Sequence, residues 1–253
     1  MKVIPSVSEG TGRGGRHSER AARPPSSLAT LGMTVAAFAI LALSESKRPL
    51  RRRVAPKGKR VANNFAMGAA AAAANALVAR NLIQAPRRRS GVATRIAGVL
   101  LLDYSLWWWH RWNHRIPLLW TFHREHHLDP DLDVSTGVRF APGEMALSAF
   151  FRAAQIEFLG VDEATVALWQ RLLLVSILFH HSNVRLPERV DRALATIVVT
   201  PRMHGIHHSD RMEDTDSNFA SLFTIWDWMH GTMRLDRPQE ALTIGAPASE
   251  PPR

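Results

Sequence analysis

The sequence predicts an all-α fold: a small integral membrane helical domain that carries a histidine-rich cap. Three observations predict it. Apolar runs of helical length follow one another along the chain, and lysines and arginines cluster at their ends. Eleven of the twelve histidines lie between positions 110 and 230, and ten of those fall into four short boxes. The chain contains no cysteine.

Composition narrows the classes of protein that the chain can belong to. With 253 residues it can bury one good-sized core and form one domain or at most two. The lack of cysteine excludes disulfides, cysteine-rich zinc sites, iron–sulfur clusters and thiolate-bound haem. The formal net charge is +10. Because the basic residues border apolar runs and do not alternate with aromatic ones, they favour contact with anionic lipid headgroups and not with nucleic acid.

The first sixty residues predict a tail and an anchor. Residues 1–27 are rich in Gly, Ser, Pro and Arg and predict a disordered basic tail. Within residues 28–60, Leu28 to Leu43 is an uncharged apolar run of sixteen residues, slightly short for a span of about 20. We expect an uncleaved anchor and not a signal peptide, because no convincing cleavage site follows. Eight Lys or Arg between 47 and 60 then mark the cytoplasmic side.

Two further apolar helices are predicted at 65–83 and 92–109, separated by three arginines at 87–89. The charges at both ends of the first helix leave two topologies open, a crossing helix or a hairpin that dips into the bilayer. Five of the eight tryptophans lie at 107, 108, 109, 112 and 120. Indole prefers the headgroup level, so these tryptophans indicate a membrane interface, with ordinary core packing as the alternative.

The second half of the chain predicts a helical hairpin between histidine boxes. Its arms cover about 144–159 and 163–179, with Gly160 at the bend, and each would reach about 24 Å. The hairpin leaves one histidine cluster and returns to the next, so both clusters should lie on the same side of the membrane. A short surface helix is expected over 189–199, stopped by Pro201. Residues 237–253 predict a flexible C-terminal tail.

The spacing of the histidines is typical of metal ligands. Positions i and i+4 share one face of a helix, so His110 and His114 can hold one ion. In an H-x2-H-H box the adjacent histidines point about 100° apart. One of the two adjacent histidines can bind the same ion as the histidine one turn earlier, while the other points toward a second ion. The boxes therefore predict a dimetal site. Imidazole alone suits zinc, copper, iron and nickel equally.

Several stretches of the chain resemble the fatty acid hydroxylase/sterol desaturase superfamily, a family of membrane-bound histidine-box di-iron oxygenases. The likeness covers about residues 60–236, in the family's order and spacing. The stretches are Asp103-Tyr104-x4-Trp109-His110-Arg111-x2-His114, Leu119-Trp120-x-Phe122-His123-x2-His126-His127, His181-Ser182-Asn183-x2-Leu186-Pro187, Thr200-Pro201-x2-His204-x2-His207-His208-Ser209, Asp216-x-Asn218-Phe219, Ile225-Trp226-Asp227 and Gly231-Thr232.

This resemblance implies a function. It assigns residues 61–236 to a membrane catalytic domain whose histidines hold two iron ions on the cytoplasmic side, with O2 as co-substrate. A C–H bond of a lipid, such as a fatty acyl chain or a sterol, would be hydroxylated or desaturated. Electrons would come from a separate reductase or small redox carrier. The lipid would enter from the bilayer between the apolar helices. Zinc could occupy the site in a purified form.

The resemblance also assigns the metal ligands. Carried over position by position, they are His110, His114, His123, His126, His127, His181, His204, His207 and His208, with His180 as a less certain addition. The chain departs from the family pattern at Ala141, where a histidine is frequent, and at His230, where a phenylalanine is frequent. These departures leave open an altered substrate or a weakened enzyme.

Metal-bound imidazoles usually donate their second N–H to a carboxylate or carbonyl. We therefore expect outer contacts to the ligands from Asp103, Asn183, Asp210, Asp216 and Asn218, for each of which a helix cap or surface position is the alternative.

Two other functions are compatible with the residues. A zinc-dependent membrane lipid hydrolase would need an open metal position and a general base, for which Glu125 is the candidate. A non-enzymatic membrane protein would store or sense metal with the same histidines.

Overall fold

The helices of the chain follow its apolar runs and histidine boxes in order. A computed structural model describes residues 27–82 and 90–248. Nearly all of the predicted disordered tail, the arginines at 87–89 and residues 249–253 lie outside the described residues. The α-helices are α1 (Ser27–Lys47), α2 (Lys57–Leu82), α3 (Val92–Arg115), α4 (Pro117–His127), α5 (Pro142–Leu159), α6 (Glu163–His181), α7 (Glu188–Leu194), α8 (Pro201–His207), α9 (Met212–Thr215) and α10 (Ile225–His230).

The described residues confirm the predicted all-α fold. Besides the α-helices they contain two 3₁₀ helices, Thr136–Val138 and Gln239–Ala241. The extended pairing among them consists of isolated bridges, such as the one between Val198 and Phe223. Helix α2 packs along α5, and α6 packs against α1, α3 and α8.

One described helix is long and apolar enough to cross a membrane, the segment Lys57–Arg80 of α2. Large apolar side chains are also exposed on the neighbouring helices, among them Leu31 and Ile40 of α1 and Ile96 of α3. An extended exposed apolar surface is typical of a protein that contacts a membrane or a partner. Helix α2 begins at Lys57, inside the stretch that the sequence predicts as a basic loop.

Two of the basic residues in that stretch are buried in the protein and do not face lipid headgroups. The Arg60 guanidinium is buried and lies 2.8 Å from Asp129; it also contacts Asp133. Buried Arg51 donates a 2.6 Å hydrogen bond to Gln239. A buried guanidinium is costly unless it is paired, so these contacts fix the loop after α1 to the second half of the chain.

The predicted hairpin forms as α5 and α6. Gly160 adopts a left-handed backbone (φ 57°) that ends α5, and the Asp162 side chain accepts a 2.7 Å hydrogen bond from the Thr165 N–H that caps α6. The hairpin contributes to a hydrophobic core that α3, α5, α6 and the 219–223 segment share. Its buried members are Val99, Leu102, Ile156, Val161, Val166, Trp169, Leu173 and Leu222.

The structure corrects two predictions for the last third of the chain. The helix expected over 189–199 ends at Leu194, because Val198 turns away to pair with Phe223. The tail expected from 237 onward is held to the rest of the chain at two points: Gln239 is buried, and Ser209 forms a bridge with Ile244.

The tryptophans divide between core and surface. Trp107 and Trp120 are buried, and the Trp107 indole donates a 2.9 Å hydrogen bond to Asp227. For these two the alternative of core packing is correct. Trp112 is 40% exposed, as an interface residue would be.

Candidate metal centre

Four helices bring the histidine boxes to one place. Helix α3 supplies His110 and His114, α4 supplies three histidines, α6 supplies His181 from its last turn, and α8 with its C-terminal cap supplies the last three. All nine predicted ligands are buried. Residues almost one hundred positions apart in sequence therefore meet in one cluster.

The nine histidines form two groups, in each of which the candidate donor atoms lie within 4.8 Å of one another. The first group is His110, His114, His123, His127 and His207; the second is His126, His181, His204 and His208. The groups contain all nine predicted ligands.

The adjacent histidines separate as their helical spacing predicts. In α4, His123 and His127 belong to the first group and His126 to the second. In the last box the i and i+4 pair, His204 and His208, belongs to the second group, while His207 turns to the first. Each H-x2-H-H box therefore contributes to both groups.

The spacing of the nitrogens fits a metal ion in each group. Two nitrogens bound at right angles to one ion at about 2.1 Å lie about 3.0 Å apart. The Nε2 atom of His181 lies 3.0 Å from that of His126 and 3.1 Å from that of His204. In the first group, His207 and His110 approach to 3.1 Å through the same atoms.

Unpartnered nitrogens in the first group also fit a metal ion. The Nε2 atoms of His114, His123 and His127 are buried and have no hydrogen-bond partner among the described residues. A buried nitrogen without a partner is costly, and a bound cation would satisfy it.

The environment keeps the imidazoles neutral, which is the form that binds metal. Burial, together with nearby His123, lowers the pKa of His126 to about 3. Burial also lowers the pKa of His207 and of His208 well below the ordinary value, and neighbouring histidines act in the same direction.

Outer contacts fix the orientation of five rings, and four of the five partners are backbone carbonyls. The Nδ1–H groups of His110, His126, His181 and His207 donate to the carbonyls of Phe219 (2.7 Å), Arg139 (2.8 Å), Ile177 (2.8 Å) and Ser217 (2.7 Å), respectively. The fifth contact joins His123 Nδ1 to the buried Glu144 carboxylate at 2.8 Å. Each contact leaves Nε2 free to face its group.

The five predicted outer residues do not contact the histidine rings by hydrogen bonds. Asp103 accepts from the Phe223 N–H and the Trp226 indole, and Asn183 pairs with the Arg51 backbone. Asp216 forms an ion pair with Arg115, and Asp210 is exposed. Their positions beside the boxes in sequence do not place them beside the rings, because each is engaged by a different part of the fold.

Asn218 acts on the site through the backbone. It has a left-handed conformation (φ 54°), and its side chain binds the backbone at Met203 and Arg234. It lies between the two carbonyls that accept from His207 and His110. Asp227 holds the same loop by accepting the Phe219 N–H at 3.0 Å.

Sequence reasoning missed Glu144 and Asp227. The signal for Glu144 is a carboxyl in the first turn of an otherwise apolar helix, two residues after Pro142. The signal for Asp227 is its place between two tryptophans in Trp226-Asp227-Trp228, a poor setting for a surface acid. The backbone carbonyls carry no signal in the sequence.

The remaining candidates lie around the two groups. His180 is buried with its ring centroid 4.2 Å from that of His204, but it belongs to neither group. His230 stacks on Trp107, at 4.1 Å between ring centroids, and lies 3.0 Å from the Tyr104 hydroxyl. Ala141 caps the start of α5.

A cavity of about 140 Å³ opens beside the histidines, between α3, α5 and α6. One side is formed by histidines of both groups together with His180 and Glu144. Apolar side chains form much of the rest, among them Leu106, Met145 and Ile177. A cavity that combines apolar walls with a few polar groups suits an apolar ligand that the polar groups orient.

The chain is similar in sequence to several known proteins. The chain is 28% identical over 145 residues to alkylglycerol monooxygenase of Homo sapiens (56% of this chain, 31% of that protein). It is 28% identical over 157 residues to a cholesterol 25-hydroxylase-like protein of Danio rerio, covering 61% of each chain. It is 29% identical over 151 residues to an ornithine lipid hydroxylase of Rhizobium tropici (59% of this chain, 44% of that protein).

The chain thus spans between about a third and three fifths of the length of these relatives. No solved structure matches it. The model of the fatty acid hydroxylase family matches residues 95–232, which is more than half of the chain and includes both histidine groups. The chain belongs to the fatty acid hydroxylase family.

Proposed function

We propose that this protein is an oxygen-dependent oxidoreductase of the membrane that hydroxylates a C–H bond of a lipid, using two iron ions. The observation that carries the proposal is the pair of adjoining groups of buried, neutral imidazoles beside an apolar cavity. Family membership supports it, and so do relatives whose names are monooxygenase or hydroxylase. Hydroxylation is preferred to desaturation because of those relatives.

Each of the two histidine groups would bind one metal ion. His110, His114, His123, His127 and His207 would hold one iron, and His126, His181, His204 and His208 the other. Irons held there would supply the activation of oxygen and the cleavage of an unactivated C–H bond. The Nδ1–H of His126 is held by the Arg139 carbonyl, which fixes the tautomer that presents Nε2 to the centre.

The chain's other contribution is to orient the lipid and exclude water. Leu106, Leu173 and Ile177 line the cavity together with the histidines and offer no hydrogen bond to water. An apolar chain held there would present one carbon to the histidines while the walls keep solvent away.

The membrane orientation and the electron supply belong to the proposal. The exposed cations Arg52, Arg53 and Lys59 lie before or within the first turn of the candidate span of α2, which favours the cytoplasmic side for that end. The histidine groups would face the same side. Electrons would come from a separate reductase or small carrier protein.

The structure weighs against a zinc-dependent hydrolase. Such an enzyme needs a general base that faces the metal. The Glu125 side chain is 46% exposed and lies 4.0 Å from Arg139, so it points to the surface. The carboxylate that does line the cavity, Glu144, contacts a histidine ring.

The test is lipid mass spectrometry on cells with and without the gene, grown under isotope-labelled oxygen. We expect one labelled oxygen atom in a lipid of the expressing cells. His126→Ala and His207→Ala, one from each group, should abolish the label, whereas His17→Ala, far from the boxes in sequence, should keep it. Turnover without oxygen by a zinc-loaded protein would favour hydrolysis. Unchanged lipid oxidation in both alanine variants would favour metal storage.

A further inference from the structure

One end of the cavity holds a cation that the centre does not use. Arg152 lines the cavity from α5, and its guanidinium carbon lies 4.9 Å from the ring centroid of buried Trp169. No carboxylate in the described part of the chain lies close enough to act on its charge. Glu144 is the one acid among the residues that line the cavity, and it is bound to His123.

The positions of the lining residues show where Arg152 lies relative to the histidines. Glu144, Ser148 and Arg152 follow one another at intervals of four residues and so occupy one face of α5. Eight residues of helix cover about 12 Å. Because α5 and α6 form a hairpin, the end of α6 lies beside the start of α5. Leu173 lies about two turns before His181 on α6 and is therefore displaced from the histidines in the same direction as Arg152. The cavity is therefore a slot with histidines at one end and Arg152 at the other.

An unpaired guanidinium in such a place is costly to keep. Arg152 lies ten residues after the start of α5 and seven before its end, so neither end of the helix is near. Its neighbours Leu106 and Leu173 along the slot offer no counter-charge. A buried or half-buried cation is stabilised when an anion is bound beside it.

The geometry of the guanidinium indicates which anion. The guanidinium lies over the Trp169 ring, and a cation held against a ring face can still offer its N–H edge to an anion. That edge matches two oxygens of a carboxylate or a phosphate. At about 140 Å³ the cavity is smaller than a typical ligand site of about 300 Å³ or more, so it would take a chain segment and not a whole lipid.

We infer that the lipid oxidised by this protein carries an anionic oxygen group, a carboxylate or a phosphate, and that Arg152 binds it. The anion would lie at the end of the slot away from the histidines, and the chain would extend toward them. The statement that this lipid is oxidised rests on the proposed function, but the binding of an anionic amphiphile by Arg152 can be tested apart from turnover.

The experiment measures binding by quenching of tryptophan fluorescence, since Trp109 and Trp169 border the slot. The full chain with its metal is purified into neutral detergent micelles. Three probes with the same brominated chain are compared: bromododecanoate, bromododecyl phosphate and bromododecanol. The anion that binds more tightly identifies the group.

The expected result is a preference for an anion that depends on Arg152. A hydrogen bond to a charged group predicts roughly tenfold to hundredfold tighter binding of the better anion than of the alcohol. Arg152→Met keeps the length of the side chain and removes its charge, so it should abolish the preference and leave binding of the alcohol unchanged. Arg152→Lys should keep part of it. Arg189→Met, an exposed arginine of α7, is the matched control and should keep all of it.

Three results would overturn the inference: equal binding of alcohol and anions by the natural protein, a preference that survives in Arg152→Met, or an equal loss for all three probes. The last would assign Arg152 to packing on Trp169. Should Arg152→Met not fold, the comparison of probes on the natural protein and on Arg152→Lys decides. A confirmed preference without labelled oxygen in any lipid would support the binding of an anionic amphiphile by Arg152 and refute the proposed function.

Discussion

Glu144→Leu should weaken the binding of one metal ion and spare the other. The Glu144 carboxylate is buried and lies 2.8 Å from His123 Nδ1, and its second oxygen has no hydrogen-bond partner among the described residues. His123 belongs to the first histidine group. The rings of the second group form no hydrogen bond with Glu144 in the described structure. Leucine fills a similar volume and removes the acceptor.

The magnitude follows from that one contact. A hydrogen bond to a charged group contributes about 1.5–3 kcal/mol. At about 1.4 kcal/mol per tenfold, the affinity of the first group should fall roughly tenfold to 150-fold. Loss of an outer partner of a metal ligand usually costs about 10–100-fold, which agrees. The second group should change less than the first, because its rings form no hydrogen bond with Glu144 and only the charge of Glu144 acts on His126.

The assay is a competition titration of the metal-free protein with zinc or ferrous iron against a chelator of known affinity. The natural protein should bind two ions, and Glu144→Leu should separate the titration into a tight and a weak step. Glu144→Gln keeps an acceptor and should lie between the two. Glu157→Gln, an exposed glutamate on the same helix, is the control. Equal weakening of both ions, or none, would refute the assignment of Glu144 to one group.

Four further predictions concern stability, measured by thermal or chemical unfolding in detergent. Arg60→Met leaves three buried aspartates without their cation and should cost about 3–5 kcal/mol. Asn218→Ala removes three side-chain bonds to the backbone at a left-handed position and should cost about 2–4 kcal/mol. Gly68→Ala would place Cβ 2.6 Å from a backbone oxygen and cost about 1–3 kcal/mol, whereas Gly58→Ala in the same helix meets nothing within 4 Å. His126, with its pKa lowered to about 3, binds fewer protons in the folded state than in the unfolded chain. The metal-free protein should therefore lose about 1.4 kcal/mol per pH unit for this ring as the pH falls below about 6.5.

Each of these has a result that contradicts it. An unchanged unfolding midpoint for Asn218→Ala would show that its three bonds to the backbone do not stabilise the loop. A normal unfolding midpoint for Arg60→Met would show that the aspartates find other partners. Equal effects of the two glycine substitutions would show that close approach to the 3₁₀ helix does not limit α2. Full stability of the metal-free protein at pH 5 would show that the rings are protonated without cost.

The sequence by itself determined the class of fold and the separation of adjacent histidines toward different metal ions. Helical periodicity fixes the directions of neighbouring side chains, so the separation of His126 from His127 follows from spacing alone. The hairpin is equally predictable from the sequence, because Gly160 ends α5 and Asp162 caps α6 through local geometry. Local rules need no knowledge of distant partners.

Tertiary structure alone decided what surrounds the rings. Glu144 lies 21 residues from His123, and the carbonyl that binds His110 lies 109 residues away. Backbone carbonyls occur at every residue, so no sequence pattern indicates which of them will face a ring. The same holds for Arg60 and Arg51: their charge suggested lipid headgroups, and only the packed chain shows the acids and amides that pair with them. Contacts over long sequence separations depend on the whole fold, and for that reason the sequence predicts the histidines that meet in this centre but not the residues that hold them in place.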